Sequence, residues 1–151
     1  MRKFRAVLAV VLALVAVVLL NLGNVAEAKR PAKPLTYTSE QVAQIQEVAS
    51  ELSTLRGRLP ELADLIQQQD WVFVRNFIHG PLGELRTKMG FLTQKLLPND
   101  QKQARSIAKL VADNLVAIDQ AAKDGNYKAA IRNYAETIRD LDSFLQLVPN
   151  S

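Results

Sequence analysis

The stretch DWVFVRNFIHGPLGELRTKMGFLTQKL, residues 70–96, decides the fold class because its large apolar residues recur every three or four positions. Those residues are Trp71, Val74, Ile78, Leu82, Leu85, Met89, Leu92 and Leu96. Such spacing places them along one face of an α-helix. The pattern keeps its phase through Gly80 and Pro81, so we predict a single long helix that begins at a capping Asp70 and bends at Pro81.

Three other apolar stripes have the same helical spacing. They are Val42, Ile45, Ala49 and Leu52, continued by Leu59, Leu62 and Ile66; Ile107, Val111, Leu115, Ile118 and Ala122; and Tyr127, Ile131, Tyr134, Ile138, Leu141, Leu145 and Val148. Helices with one apolar stripe bury it against each other, and short connections make neighbouring helices antiparallel. We therefore predict an all-α protein whose residues 38–151 form an up-down-up-down four-helix bundle.

The boundaries of these helices are marked by capping and breaking residues. Thr38 followed by Gln41 predicts a capping box at the first helix, and Pro60 predicts a kink or break near it. Pro98 and Gly125 predict the two turns that follow the second and third helices. The remaining boundary residues are Asn99 or Asp100, expected to cap the third helix, and Pro149, expected to end the fourth.

The N-terminal segment is typical of an export signal. The basic start MRKFR precedes an unbroken apolar run at 6–20, and AEA at 26–28 resembles a signal-peptidase site. The apolar run is shorter than the about 20 residues that a membrane-spanning helix needs. We expect residues 1–28 to be a cleaved signal peptide and residues 29–37, KRPAKPLTY, to be a basic proline-bearing tail. An uncleaved membrane anchor is the alternative.

Composition excludes several classes of function. The chain has no Cys, so it has no disulfide, thiolate nucleophile or zinc–cysteine site. It has a single His, which excludes a metal site built from several histidines. From residue 38 onward there are 13 basic and 14 acidic residues, too even a balance for a general nucleic-acid-binding protein.

No catalytic or cofactor motif is visible, so we expect neither an enzyme nor a cofactor. His79 lacks an acidic residue three or four positions away on its own helix, so we expect no metal there. Four acidic residues near the C-terminus lack the loop spacing of a calcium site, and we expect them to form a solvated face. They are Asp119, Asp124, Asp140 and Asp142.

Two segments carry a family resemblance. ADLIQQQDWVFVRNFIHGPLGELRTKMGFLTQKLLPNDQKQA and NYKAAIRNYAETIRDLDSFLQLVP resemble the PsbQ family of photosystem II, in its cyanobacterial branch. The resemblance runs from about Tyr37 to Pro149 and is strongest in the RNFIHGP run at 75–81 and the turn at 96–100.

This resemblance implies a non-catalytic extrinsic subunit on the lumenal face of photosystem II, in the thylakoid lumen. Such a subunit helps to retain and stabilise the oxygen-evolving assembly. The implied partners are the core antenna proteins, the manganese-stabilising extrinsic protein and the extrinsic cytochrome. Similar cyanobacterial proteins typically carry a lipid on a Cys that this chain lacks, so it would be held by docking alone or by a retained leader.

The helix that begins near Asp70 is our candidate docking element. We expect Trp71, Val74 and Ile78 to pack inward. The opposite flank, near the Pro81 bend, would then present Arg75, Asn76 and His79 to a partner, with Pro81 shaping the surface. Those polar residues could instead merely solvate the helix. A generic exported helical binding module and a periplasmic metal-binding protein that uses His79 remain alternative functions.

Overall fold

A computed structural model describes residues 36–149, which form six helices and no strand. The helices are α1 (Ser39–Gly57), α2 (Leu59–Gln67), α3 (Trp71–His79), α4 (Leu85–Lys95), α5 (Pro98–Lys123) and α6 (Tyr127–Leu145). The predicted all-α class is confirmed. The predicted signal peptide and residues 29–35 of the predicted tail lie outside the described residues.

The start of α1 and its separation from α2 agree with the sequence. Thr38 Oγ1 accepts a hydrogen bond from the Gln41 backbone N–H at 3.2 Å, and Gln41 Oε1 accepts one from the Thr38 N–H at 2.9 Å. This reciprocal pair is the predicted capping box. The predicted break is also present, because Arg58 separates the two helices and Pro60 lies in the first turn of α2, where a missing N–H costs little.

The prediction of one long helix bent at Pro81 is wrong. Helix α3 ends at His79, residues 80–84 form a turn, and α4 begins at Leu85. Pro81 has no N–H and cannot donate to the Phe77 carbonyl. That carbonyl instead accepts a hydrogen bond from the Leu82 N–H at 3.1 Å. The turn nevertheless keeps the apolar phase, so residues on both sides of it still face the core.

Helix α5 begins differently from our expectation. Pro98 is its first residue and Leu97 its N-cap, so neither Asn99 nor Asp100 is the cap. Proline is favoured at this position because its fixed φ is already helical. Leu97 has no side chain that could cap the helix. Its backbone N–H donates to the Tyr37 hydroxyl at 3.0 Å.

The turn between α5 and α6 forms at Gly125, as predicted. Gly125 has φ +66°, a left-handed conformation that glycine adopts without strain. The Asn126 side chain then caps α6 by accepting a hydrogen bond from the Ala129 N–H at 3.0 Å. Helix α6 ends at Leu145, before Pro149, whose carbonyl instead accepts a hydrogen bond from the Gln46 side chain at 2.7 Å.

The helices pack in a closed order. Helices α1 and α2 contact α4 and α3 respectively, α3 and α4 both contact α5, and α5 makes the most extensive pairing, with α6. Helix α6 closes the order by contacting α1 and α2. The α1–α2 and α3–α4 pairs occupy the places of the first two predicted helices, and the up-down-up-down four-helix bundle stays a prediction.

The core includes residues of all four predicted stripes, and the fourth stripe lies at its edge. In α6 only Leu141 of the predicted stripe is fully buried, and Tyr127 is 41% exposed. The other members of that stripe are half-buried and pack against the core; they are Ile131, Tyr134, Ile138, Leu145 and Val148. The most deeply buried residues of α6 are Ala130, Thr137, Asp140, Leu141 and Phe144, so the predicted stripe borders this line.

Candidate docking surface

The orientation of α3 is set at its first turn. The Asp70 carboxylate accepts a hydrogen bond from the Phe73 N–H at 3.4 Å and caps the helix, as predicted. Val74 is completely buried and Ile78 is 7% exposed, so this face lies against the core. Trp71 is half-buried and packs at the edge of the same core. The inward half of the prediction is therefore confirmed.

The polar flank of α3 is bound to α5 through one carboxylate. Arg75 Nε lies 3.1 Å from Asp119 Oδ1, and His79 Nε2 lies 2.9 Å from the same oxygen. Arg75 and His79 are four positions apart, so one helical turn brings both side chains to Asp119. Both are exposed, as is Asn76, so all three lie on the outer flank as expected, and their docking role stays a prediction.

The shared carboxylate is the most strongly held group of the surface. Partial burial of Asp119 would raise the pKa of its carboxyl, but the hydrogen bonds from His79 and Arg75 and the charge of Arg75 outweigh burial. The pKa of Asp119 is therefore below its ordinary value, and the carboxylate stays ionised. This contact fixes the positions of two long side chains that would otherwise be mobile.

A groove of about 560 Å³ runs between this flank of α3 and the C-terminal end of α5. It is lined by Trp71, Val72, Arg75, Asn76, His79, Ala122, Lys123, Asp124 and Gly125. Val72, one of the lining residues, is 67% exposed; its chain neighbour Phe73 is 58% exposed but does not line the groove. We call the lining residues the α3–α5 surface. It combines exposed apolar area with oriented charge, as protein-binding surfaces do.

Two differences from the predicted site concern Pro81 and the exposed apolar pair. Pro81 is half-buried in the turn after α3 and does not line the groove. Neither Val72 nor Phe73 was predicted. Both fall outside the predicted α3 stripe, but so does Phe77, which is only 7% exposed, so position relative to the stripe did not identify them as exposed.

The expected solvated face of four acidic residues is wrong in part. Asp140 is only 6% exposed, and Asn114 Nδ2 donates to its Oδ2 at 3.0 Å. Asp142 is paired with Arg56 at 2.9 Å, which lowers the pKa of its carboxyl. These aspartates join helices, because residues far apart in the chain supply their partners.

The described residues contain no group of three or more metal-ligating side chains. Within 36–149, no helix has the length and apolar character to cross a membrane. His79, the chain's single His, has Asp119 as its contact.

Comparison with known sequences identifies the family. The model of the PsbQ family, described as oxygen evolving enhancer protein 3, matches residues 2–149. The chain is also similar to CyanoQ of Synechocystis sp., with 39% identity over 152 residues, which cover 100% of this chain and 99% of that protein. The chain belongs to the PsbQ family.

This membership settles the class of function. The PsbQ-family protein described here is an extrinsic subunit of photosystem II on the lumenal side of the thylakoid membrane. The generic exported binding module and the periplasmic metal-binding protein are not favoured. The resemblance found in the RNFIHGP run therefore identified the correct family.

Proposed function

We propose that this PsbQ-family protein docks on photosystem II through the α3–α5 surface and stabilises the oxygen-evolving assembly without catalysing a reaction. The observation that carries the proposal is the Arg75–Asp119–His79 contact at the edge of an exposed groove. This contact orients an arginine and a histidine on the exposed flank of α3, which does not pack against the core.

The character of the surface supports a protein partner. Val72 offers apolar area whose burial would contribute about 25 cal/mol per Å². Arg75 is paired on one side only, so its remaining guanidinium donors are available to carbonyl or carboxylate oxygens of a partner. Because Asp119 already orders this arginine, less conformational entropy is lost on binding.

We assign the partners by family. They are the core antenna proteins, the manganese-stabilising extrinsic protein and the extrinsic cytochrome of photosystem II. Association with the membrane would follow from this docking. The protein would supply no catalytic ligand and carry no cofactor of its own.

The test is binding of the purified chain to photosystem II membranes from which extrinsic proteins have been removed. The double variant Arg75→Ala/His79→Ala should bind at least about fivefold more weakly, because interface residues that matter cost more than about 1 kcal/mol each. The matched control is Lys128→Ala/Arg132→Ala, an exposed pair with the same spacing on α6.

Circular dichroism should show unchanged helix content in both variants, since all four side chains are exposed. Equal binding by wild type and the Arg75→Ala/His79→Ala variant would show that docking uses another surface. Failure of the wild-type chain to bind any photosystem preparation would contradict the proposed function as a whole.

A further inference from the structure

A second groove, of about 450 Å³, lies between α4 and α5. It is lined by Arg86, Gly90, Thr93, Gln94, Arg105, Ala108, Lys109, Ala112, Asp113 and Val116. None of these residues belongs to the α3–α5 surface. We call this set the α4–α5 groove.

The α4–α5 groove carries an excess of positive charge. Residues 36–149 contain seven arginines, of which four are in ion pairs with carboxylates. Arg86 and Arg105 are two of the three that have no carboxylate partner among the described residues. One comes from each helix bordering the groove. Lys109 is neutralised within the groove by Asp113.

Apart from Gln94, the rest of the lining is apolar or already hydrogen-bonded. Ala108 and Ala112 leave room between the helices, and a Cβ added at Gly90 would have no described atom within 4 Å. Val116 is 69% exposed. The Thr93 hydroxyl donates to the Met89 carbonyl at 2.7 Å, so it needs no ligand. The groove therefore offers apolar area beside two guanidinium groups that have no carboxylate partner among the described residues, although Arg105 donates one hydrogen bond to the Gln101 side chain at 3.3 Å.

We infer that the α4–α5 groove docks an acidic segment of a partner protein. An aliphatic or aromatic side chain of that segment would lie on the floor at Gly90 and Ala112, and its carboxylates would bind Arg86 and Arg105. Arginine is suited to this role because its planar fork matches a carboxylate. Residues 38–149 are close to neutral in total, so this local excess selects carboxylates without attracting polyanions in general.

The experiment places a photo-cross-linker, p-benzoylphenylalanine, at Gly90 of the full chain in its native cells. The matched control has the same residue at Gly57, the other glycine where an added Cβ meets no described atom within 4 Å. After irradiation, mass spectrometry identifies the attached peptide. We expect adducts at Gly90, well above those at Gly57, with a segment rich in Asp and Glu around an apolar residue.

Charge reversal tests the role of the two arginines. Arg86→Glu/Arg105→Glu should reduce the adduct yield about tenfold or more, because both charge pairs become repulsive. Lys128→Glu/Arg132→Glu changes the net charge equally on α6 and should leave the yield unchanged. Circular dichroism should confirm that both variants fold.

Several outcomes would overturn the inference. They are no adduct above the Gly57 control, an adduct with lipid or with a second copy of this chain, a neutral or basic captured segment, or a yield that survives Arg86→Glu/Arg105→Glu. Docking through the α3–α5 surface is tested separately by the membrane-binding experiment above. An acidic segment from outside photosystem II would uphold this inference and leave the result of that experiment unchanged.

Discussion

At the scale of single residues, carboxylates organise the exposed flank. Asp119 joins Arg75 and His79 to α5 and is itself only 23% exposed in its side chain. Arg75 and His79 are 45% and 66% exposed, so solvent weakens both contacts. The contacts therefore orient these two side chains more than they stabilise the fold.

Replacement of Asp119 by Asn should have an effect on stability that depends on pH. The folded-state pKa of Asp119 is lowered, so its stabilising contribution is fully present above the unfolded-state pKa of about 3.9. The contribution is lost as pH falls through the still lower folded-state pKa. Urea unfolding should show Asp119→Asn less stable than wild type by up to about 1 kcal/mol at pH 6, and by less at pH 3.

The control for this prediction is Asp113→Asn on the same helix. Asp113 is exposed and paired only with Lys109, so its replacement should change the free energy of unfolding by less than about 0.5 kcal/mol. An equal loss of stability for Asp119→Asn at pH 6 and pH 3 would contradict our account of this carboxylate.

At the scale of helices, glycine and proline mark the turn after α3 and the start of α5. A Cβ on Gly80 would lie 2.9 Å from the Asn76 carbonyl oxygen, and one on Gly83 would lie 2.8 Å from that of His79. The turn after α3 therefore depends on the absence of these side chains. Pro98, by contrast, begins a helix, because the first helical residue needs no N–H donor.

Alanine at two glycines should have opposite effects on stability. Gly80→Ala should destabilise by about 1–3 kcal/mol, because its Cβ meets a backbone oxygen that cannot move freely. Gly90 lies inside α4 with open space around an added Cβ. Gly90→Ala should therefore raise the free energy of unfolding by about 0.5–1 kcal/mol. Denaturant midpoints measure both, and a Gly80→Ala variant as stable as wild type would contradict the described turn.

At the scale of the whole molecule, one core unites six helices. The completely buried residues come from every helix, including Leu52 of α1, Leu62 of α2, Val74 of α3, Leu92 of α4 and Phe144 of α6. Ile118 contributes in the same way from α5. We therefore expect residues 36–149 to unfold in one cooperative transition.

Two phenylalanines provide a matched test of this core. Phe144 is 0% exposed, so Phe144→Ala should cost about 3–5 kcal/mol and lower the denaturant midpoint of the whole transition. Phe91 is 49% exposed on α4, and Phe91→Ala should cost less than about 1 kcal/mol. Similar losses for both variants would contradict the placement of α6 against the core.

Local sequence was sufficient for the helical class, three apolar faces, the caps at Thr38 and Asp70, and the family. These features depend on residues within a few positions of each other, where helical periodicity and capping chemistry act. The exposure of Arg75, Asn76 and His79 also followed from the sequence, because these residues are out of phase with the buried stripe of α3.

Tertiary structure decided what those local rules leave open. Asp119 lies 44 residues from Arg75 and 40 from His79, and only the packing of α3 on α5 brings them together. The most deeply buried residues of α6 include Ala130, Thr137 and Phe144, which lie beside the predicted stripe. Periodicity specifies that a helix has an apolar face, but the neighbouring helix determines which residues of that face touch it.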